Sequence, residues 1–125
     1  MKKIIEVPYI DQTQQYPTGC ESISAVMMLN YLGYDITPER FIDRCLYKRD
    51  FEFHDGYLYG PHPADAFIGS PYNDEKGSYG CYAPVIALAM ERAAGEDYQF
   101  TARKGIPVEQ LLEEYIDRDM PVVFW

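Results

Sequence analysis

The sequence has few cations and no long hydrophobic run, and each shortage excludes a class of partner. Only 11 lysines and arginines stand against 20 aspartates and glutamates, so the 125 residues carry a net charge of −9. Nucleic acids and anionic membranes bind proteins through a surplus of cations, so we expect neither as a partner. No run approaches the about 18 apolar residues of a transmembrane helix, and we expect no membrane span.

Cysteine is also scarce. The three cysteines, Cys20, Cys45 and Cys81, are odd in number and lack the paired spacing of a zinc site. At most one disulfide can form, so at least one thiol is free. Three acidic side chains of the middle region lack the spacing of a calcium loop: Asp65, Asp74 and Glu75. We therefore expect no bound metal and no cofactor.

Apolar residues are plentiful enough for a core, at 47% of the chain. Residues 19–32 are apolar on nearly every side, which predicts a buried helix that ends at Gly33. A second helix is predicted over 38–47, with Thr37 as its N-cap and Pro38 at its first position.

Two further helices follow a long irregular region. Residues 48–82 are rich in glycine, proline and aromatic residues without periodicity, which is typical of a functional segment. A third helix is predicted over 83–94, ended by Gly95, and a fourth starts near Pro107. The apolar residues of the fourth helix fall on one face: Val108, Leu111, Leu112, Tyr115 and Ile116.

The last four residues, Val122 to Trp125, are typical of a buried strand. Other strong strand signals are few, so this strand has no predicted partner. We therefore expect residues 1–125 to be a single domain of α+β class, the N-terminal portion of a larger fold with a strand remnant of an incomplete sheet. An unpaired strand edge is a template for pairing with another chain, so self-association through this strand is also expected.

The segment YPTGCES at 16–22 places a thiol at the start of the first helix. Thr18 followed three residues later by Glu21 matches a capping box, with Thr18 as the N-cap. Cys20 would then lie at the positive end of the helix dipole, which stabilises a thiolate and lowers the thiol pKa, although the charge of Glu21 opposes this. Gly19 would leave the approach to the sulfur open. The pattern fits a nucleophile, but a buried structural cysteine fits it too.

Acyl transfer to a thiol also needs an oxyanion hole, formed by the backbone N–H of the nucleophile and a second donor. Gln12, Gln14 and Gln15 lie in the preceding loop, and any of them can provide a side-chain amide. Cys45 falls on the apolar face of the second helix, and Cys81 lies in a glycine-rich stretch, so packing or cleft lining is expected for them.

Several sequence blocks together resemble one bacterial family. They are VPYIDQ at 7–12, YPTGCESISAVMMLNYLG at 16–33, GPHP at 60–63, FIGSP at 67–71 and YGCYAPVI at 79–86. The family comprises domains similar to bacteriocin-processing (double-glycine leader) peptidases, within the papain-like clan of cysteine peptidases. The resemblance extends from about Val7 to Trp125 in the same order.

The resemblance implies a thiol hydrolase of peptide bonds, and therefore a peptide or protein substrate. It puts the nucleophile on Cys20 and the oxyanion amide on Gln12, with Gln14 as a competitor because it lies six positions before the cysteine, the spacing of the wider papain-like clan. It also implies that the catalytic histidine, and the Asp or Asn that orients it, follow beyond Trp125. We therefore expect little or no turnover from these residues alone.

The two histidines of the chain are not expected to replace that base. His62 lies between two prolines and His54 in the acidic stretch FEFHDG, so surface or loop roles are favoured for both. The glycine-rich loops are expected to wrap one side of the cleft, where Tyr79, Gly80 and Tyr82 contact the substrate. Other aromatic side chains of this region either line the same groove or pack the loop onto the helices: Tyr57, Tyr59, Phe67 and Tyr72.

Two other functions stay open. One is a non-catalytic peptide-binding or assembly module, which a thiol pKa at or above the ordinary cysteine value would favour. The other is an amide hydrolase that uses the same cysteine chemistry on a non-peptide substrate. The N-terminus has two lysines but no apolar segment of a secretory signal. The localisation therefore stays open between a cytoplasmic protein, as the chain is written, and one whose leader has been removed, since members of the resembled family are often exported.

Overall fold

The computed structural model describes residues 3–73 and 77–125. Its architecture is α+β, as predicted, and the helices are much longer than the strands. The described residues form four α-helices and two separate two-stranded sheets. None of those helices is long and apolar enough to cross a membrane.

The central helix, α1 (Cys20–Tyr31), is buried on most sides, as its sequence predicts. Its inaccessible side chains are Ser22, Ile23, Ala25, Val26 and Leu29. Gly33 lies just beyond the end of the helix with a φ of +100°. Glycine adopts this conformation without steric cost, whereas an L-residue is strained by its Cβ.

Helix α2 (Pro38–Arg44) begins as predicted. The Thr37 hydroxyl accepts a hydrogen bond from the Arg40 backbone N–H at 3.2 Å, which caps the helix. The helix ends before the predicted Tyr47, because the Phe41 carbonyl accepts the N–H groups of two successive residues, at 2.9 and 3.0 Å. This shared acceptor closes the last turn and lets the chain leave in an extended path.

Helix α3 (Ala83–Ala94) has the predicted bounds, with Pro84 in its first turn and Gly95 at a φ of +70° at its C-terminal cap. Helix α1 packs against both α2 and α3. Phe41 and Phe67 are the largest fully buried side chains, and both belong to the cluster that these three helices enclose.

The region predicted to be irregular contains four short strands. Strand β1 (Lys48–Arg49) pairs in parallel with β4 (Phe67–Ile68), and β2 (Glu52–His54) pairs antiparallel with β3 (Tyr57–Tyr59). Lys48 lies opposite Phe67 in the first pair, and Phe53 lies opposite Leu58 in the second. Strands of two or three residues are too short to show a period of two in the sequence, so the pattern did not reveal them.

Helix α4 (Val108–Glu114) starts after Pro107, as predicted, and a single 3-10 turn follows over Ile116–Arg118. Its predicted apolar face is not buried, since Val108 is 68% exposed and no residue of the helix is buried. Residues 122–125 form no strand, contrary to the prediction, because no segment of the described chain pairs with their backbone.

Candidate active site

Helix α1 begins at Cys20, and Gly19 is its N-cap. The predicted capping box is wrong, because no side chain caps this helix. The Thr18 hydroxyl instead lies 2.7 Å from the Ser70 carbonyl and 2.8 Å from the Asn73 carbonyl, and its single proton serves one of them at a time. Thr18 therefore ties the loop before the helix to the turn that contains these two carbonyls.

Gly19 occupies a tightly packed position. A Cβ at this position would lie 3.0 Å from Tyr16 Cβ and 3.4 Å from Pro71 Cβ, so any side chain would press on the two neighbouring loops. The Cys20 residue is exposed.

Glu21 uses its two carboxylate oxygens on two different partners. Oε2 accepts a hydrogen bond from the Cys20 thiol at 3.2 Å, and Oε1 accepts one from the Cys81 backbone N–H at 3.3 Å. The carboxylate therefore joins the first residue of α1 to the segment that leads into α3.

These surroundings raise the pKa of the Cys20 thiol, contrary to the predicted lowering. Desolvation by neighbouring protein atoms is the largest cause, even though the residue as a whole is exposed. The hydrogen bond to Glu21 and the negative charge of that carboxylate act in the same direction. Backbone N–H groups at the helix start lower the pKa, as predicted, but they are outweighed.

Alkylation of Cys20 by iodoacetamide should therefore rise with pH along a curve whose midpoint lies above that of a cysteine in an unstructured peptide. Only the thiolate reacts, and Cys45 and Cys81 are buried, so peptide mapping of the native protein reports on Cys20. The protein unfolded in urea serves as the control and should give the peptide value. A native midpoint at or below the unfolded one would contradict the arrangement described above.

Among the candidate oxyanion amides, Gln12 is tied to the loop before α1. Its Nε2 donates to the Tyr16 carbonyl at 3.2 Å, and the same carbonyl accepts the Gly19 N–H at 3.0 Å. A side-chain amide has two N–H donors, so one of them stays available to another acceptor. Gln14 and Gln15 are exposed in the adjacent turn.

Of the three predicted substrate residues, Gly80 lies beside Glu21, since a Cβ at this position would be 2.7 Å from Glu21 Oε1. Gly80 is buried, takes a φ of +114°, and accepts the Ile68 N–H at 3.0 Å through its carbonyl. Tyr79 and Tyr82 are exposed, and their hydroxyl oxygens are 3.3 Å apart. The structure therefore brings two exposed phenol groups together next to a buried backbone segment.

The other aromatic side chains of the middle region divide between packing and exposure. Phe67 is fully buried in the core, and the Tyr72 hydroxyl donates to Asp43 Oδ1 at 2.8 Å, which fastens the loop onto α2. Tyr57 and Tyr59 are exposed on the β2–β3 hairpin.

Comparison with known proteins adds a family to this geometry. The sequence model of the Peptidase C39-like family matches residues 4–124. The chain belongs to the Peptidase C39-like family. Since the C39 peptidases are the papain-like enzymes that process bacteriocins, the predicted family is confirmed.

One solved structure is similar to this family member, that of a candidate C39-like peptidase from Bacillus anthracis. The two share 28% sequence identity and superpose with a TM-score of 0.62, over 74% of this chain and 46% of the other. This chain therefore spans less than half the length of that protein. No curated protein matches the present chain.

In this Peptidase C39-like chain, neither histidine hydrogen-bonds the thiol. His54 Nε2 lies 3.2 Å from Glu52 Oε2 on the exposed hairpin. His62 accepts a backbone N–H two residues further on at 3.1 Å, and its ring packs on Tyr82 at 6.0 Å between centroids. Among the described residues, the side-chain hydrogen bond of Cys20 is to Glu21.

The other cysteines and the predicted acidic group were compared with the requirements of a second site, as far as the structure describes them. Cys45 and Cys81 are buried and free, and burial is the largest cause that raises the pKa of each thiol. Residues 3–73 and 77–125 contain no group of three or more side chains that could hold a metal ion. Asp65 is exposed, whereas Asp74 and Glu75 lie outside the described residues.

One contact of this Peptidase C39-like site was not predicted from the sequence. Trp125 Nε1 donates to the Cys81 carbonyl at 3.2 Å, so the backbone of Cys81 is held by Glu21 at its N–H and by Trp125 at its carbonyl. Trp125 is the single tryptophan of the chain, but nothing in its sequence neighbourhood indicates a partner in the glycine-rich loop.

Proposed function

We propose that this chain carries the nucleophile of a cysteine peptidase, with Cys20 attacking the carbonyl carbon of a peptide bond. The observation that carries the proposal is an exposed, free thiol on the first residue of the central helix in a Peptidase C39-like chain. The Cys20 backbone N–H has no backbone acceptor among the described residues, as expected in a first helical turn. It can therefore serve as one donor to an oxyanion.

Gln12 supplies the second donor in this proposal, through the amide N–H that Tyr16 does not use. The sulfur adds to the carbonyl carbon, the amine leaves, and water hydrolyses the resulting thioester. The base comes from outside these residues, since neither His54 nor His62 contacts the thiol. A positioned base contributes about 10²–10⁴-fold, so we expect little or no turnover from the chain alone.

A non-catalytic peptide-binding module is the second candidate, and the raised pKa of the Cys20 thiol favours it. Only a thiolate is a good nucleophile, and the described residues supply no cation to stabilise it. In the peptidase proposal, that cation is the imidazolium of the histidine base that comes from outside these residues. The two candidates therefore agree on peptide binding and differ on whether the sulfur bonds to carbon.

A peptide aldehyde separates these candidates without requiring a base. The Cys20 sulfur bonds to the aldehyde carbon while the thiol proton passes to the aldehyde oxygen, and the hemithioacetal resembles the tetrahedral intermediate of acyl transfer. With N-acetyl tripeptide aldehydes labelled with ¹³C at that carbon, the hemithioacetal signal should appear in the NMR spectrum of the wild type and be absent from C20A. Dissociation constants should be at least about tenfold lower than for acetaldehyde, a gain of about 1.4 kcal/mol from the peptide.

The glutamines provide matched controls for the same measurement. Q12A should weaken the adduct about fivefold, because one hydrogen bond is worth about 1 kcal/mol, whereas Q14A should leave it unchanged. Equal losses in both variants would remove Gln12 from the proposal. Peptide aldehyde that binds without a hemithioacetal signal would favour the non-catalytic module, and equal affinity for acetaldehyde would exclude a peptide-binding cleft.

A further inference from the structure

Glu21 is the charged side chain in contact with the Cys20 thiol in the part of the chain that the structure describes. One carboxylate oxygen lies 3.2 Å from Sγ and the other 3.3 Å from the Cys81 backbone nitrogen. Within the described residues no lysine, arginine or histidine forms an ion pair with this carboxylate. Its negative charge is therefore directed at a thiol and a peptide N–H, and no cation neutralises it there.

The backbone opposite this carboxylate leaves room for it only because residue 80 is a glycine. A Cβ at Gly80 would lie 2.7 Å from Glu21 Oε1, and φ is +114° at this position. The Gly80 backbone is also fixed from the other side, since its carbonyl accepts the Ile68 N–H at 3.0 Å. The Glu21 carboxylate therefore packs directly against the Gly80 backbone, and a side chain at residue 80 would have to displace it.

From this geometry we infer that Glu21 is a positioning residue for Cys20, acting as an acceptor that holds the thiol neutral and as an anchor that fixes the Gly80–Cys81 backbone beside it. The inference rests on the proposed role of Cys20 as the nucleophile. Anchoring the Cys81 N–H requires only a side-chain oxygen acceptor, which a glutamine also has. Holding the thiol neutral requires the negative charge of the glutamate. Substitution can therefore separate the two functions.

The charges around Cys20 support this division. Glu21 is the neighbour that raises the pKa of the Cys20 thiol after desolvation, and it also raises the pKa of the Cys81 thiol, for which burial is the largest cause. Cys81 is a further titratable group close to the thiol, since the Cys20 charge contributes to the raised pKa of Cys81. Release of the Cys20 thiol from Glu21 is therefore the local step that a catalytic cation would have to promote.

The test compares E21Q with the wild type in the pH profile of Cys20 alkylation by iodoacetamide. Glutamine keeps a carbonyl oxygen for the Cys81 N–H but has no charge, so we expect a lower midpoint and an unchanged melting temperature. A midpoint lower by one unit gives about tenfold more thiolate at neutral pH. Thiolate nucleophilicity falls with pKa with a Brønsted slope of about 0.4–0.5, so the neutral-pH rate should rise only about threefold.

Three further variants keep the inference falsifiable. E109Q removes the same charge from the exposed face of α4 and should leave the profile unchanged. G80A alone should displace the Glu21 carboxylate from Cys81 and so shift the alkylation midpoint of Cys20. The same substitution in E21Q should shift the midpoint little further, because the charge through which it acts is already absent. An unchanged midpoint in E21Q, whatever G80A does, or a shift in E109Q equal to that in E21Q, would overturn the inference.

This result can be told apart from a failure of the proposed function. Alkylation measures the thiol alone and needs neither a peptide nor turnover. If peptide aldehydes form no hemithioacetal while E21Q lowers the alkylation midpoint, Glu21 still controls the thiol and the peptidase role of Cys20 is refuted. If the hemithioacetal forms and the midpoint does not move, the peptidase proposal stands and the role of Glu21 is refuted.

Discussion

Replacement of Phe41 by alanine should lower the free energy of unfolding by about 3–5 kcal/mol. Phe41 is fully buried in the cluster between α1, α2 and α3, so the shorter side chain loses its transfer free energy and leaves a cavity that packed helices cannot close. Domains of this size are typically stable by only about 5–15 kcal/mol. The substitution therefore removes a large share of the total stability.

Urea unfolding followed by far-ultraviolet circular dichroism would measure this loss. Phe53 is the matched control, because it is 71% exposed on the β2–β3 hairpin, and F53A should change the stability by no more than about 0.5 kcal/mol. F41L, which refills part of the cavity, should fall between F41A and the wild type. A loss below about 1.5 kcal/mol in F41A would mean that Phe41 is not at the centre of the core.

Replacement of Gly69 by alanine should lower the free energy of unfolding by about 2–5 kcal/mol. Its φ is +100°, which strains an L-residue by about 1–2 kcal/mol. A Cβ would also lie 2.4 Å from Ser78 Cα and 2.5 Å from the Gly77 carbonyl oxygen, and overpacking against such fixed atoms costs about 1–3 kcal/mol more. The backbone of the 77–80 segment must move to relieve this contact.

Gly33 gives a control with the same backbone strain. Its φ is also +100°, but a Cβ there would have no atom within 4 Å. The backbone strain alone should therefore lower the free energy of unfolding of G33A, by about 1–2 kcal/mol. Both variants would be compared in urea unfolding. Equal losses would show that the 77–80 segment accommodates a methyl group at Gly69 without cost. Since Gly69 follows Ile68, which pairs with Gly80, G69A should also disturb the alkylation profile of Cys20, whereas G33A should not.

Local signals were sufficient for the helices. The bounds of α3 were predicted to the residue from its apolar run, Pro84 and Gly95, and α1 within one residue at each end. The Thr37 cap of α2 also forms as predicted. In each case the deciding interaction lies within a few residues along the chain, or the helix is apolar enough to be buried in any arrangement.

The failures at the candidate site come from partners far away in the sequence. Thr18 was predicted to bond within its own helix, but its hydroxyl meets the carbonyls of residues 52 and 55 positions further on. Glu21 likewise binds a backbone N–H that is 60 positions away. The direction of the Cys20 pKa shift was also missed, because desolvation by neighbouring protein atoms raises this pKa most, and Glu21, which caps no helix, adds to the rise.

The strands were missed because they are short, and in the β1–β4 pair the partner residues also lie 19 positions apart in the sequence. The pairs β1–β4 and β2–β3 join segments of two or three residues, and nothing in such a short segment distinguishes it from a loop. The opposite error occurred at 122–125, where apolar residues resemble a strand but have no strand beside them in the described chain. Hydrophobicity alone therefore did not decide whether a strand exists.

The two bonds that hold the Cys81 peptide bear on how the chain folds. They close loops of 60 residues to Glu21 and of 44 residues to Trp125. Closing a loop lowers chain entropy more as the loop lengthens, and contacts between distant residues slow folding. Helix α1 can begin to form from its own residues, but the surroundings of its thiol assemble only when nearly the whole chain has collapsed. A chain still folding thus presents a cysteine without its carboxylate and peptide neighbours, and control of the sulfur is acquired only with the completed fold.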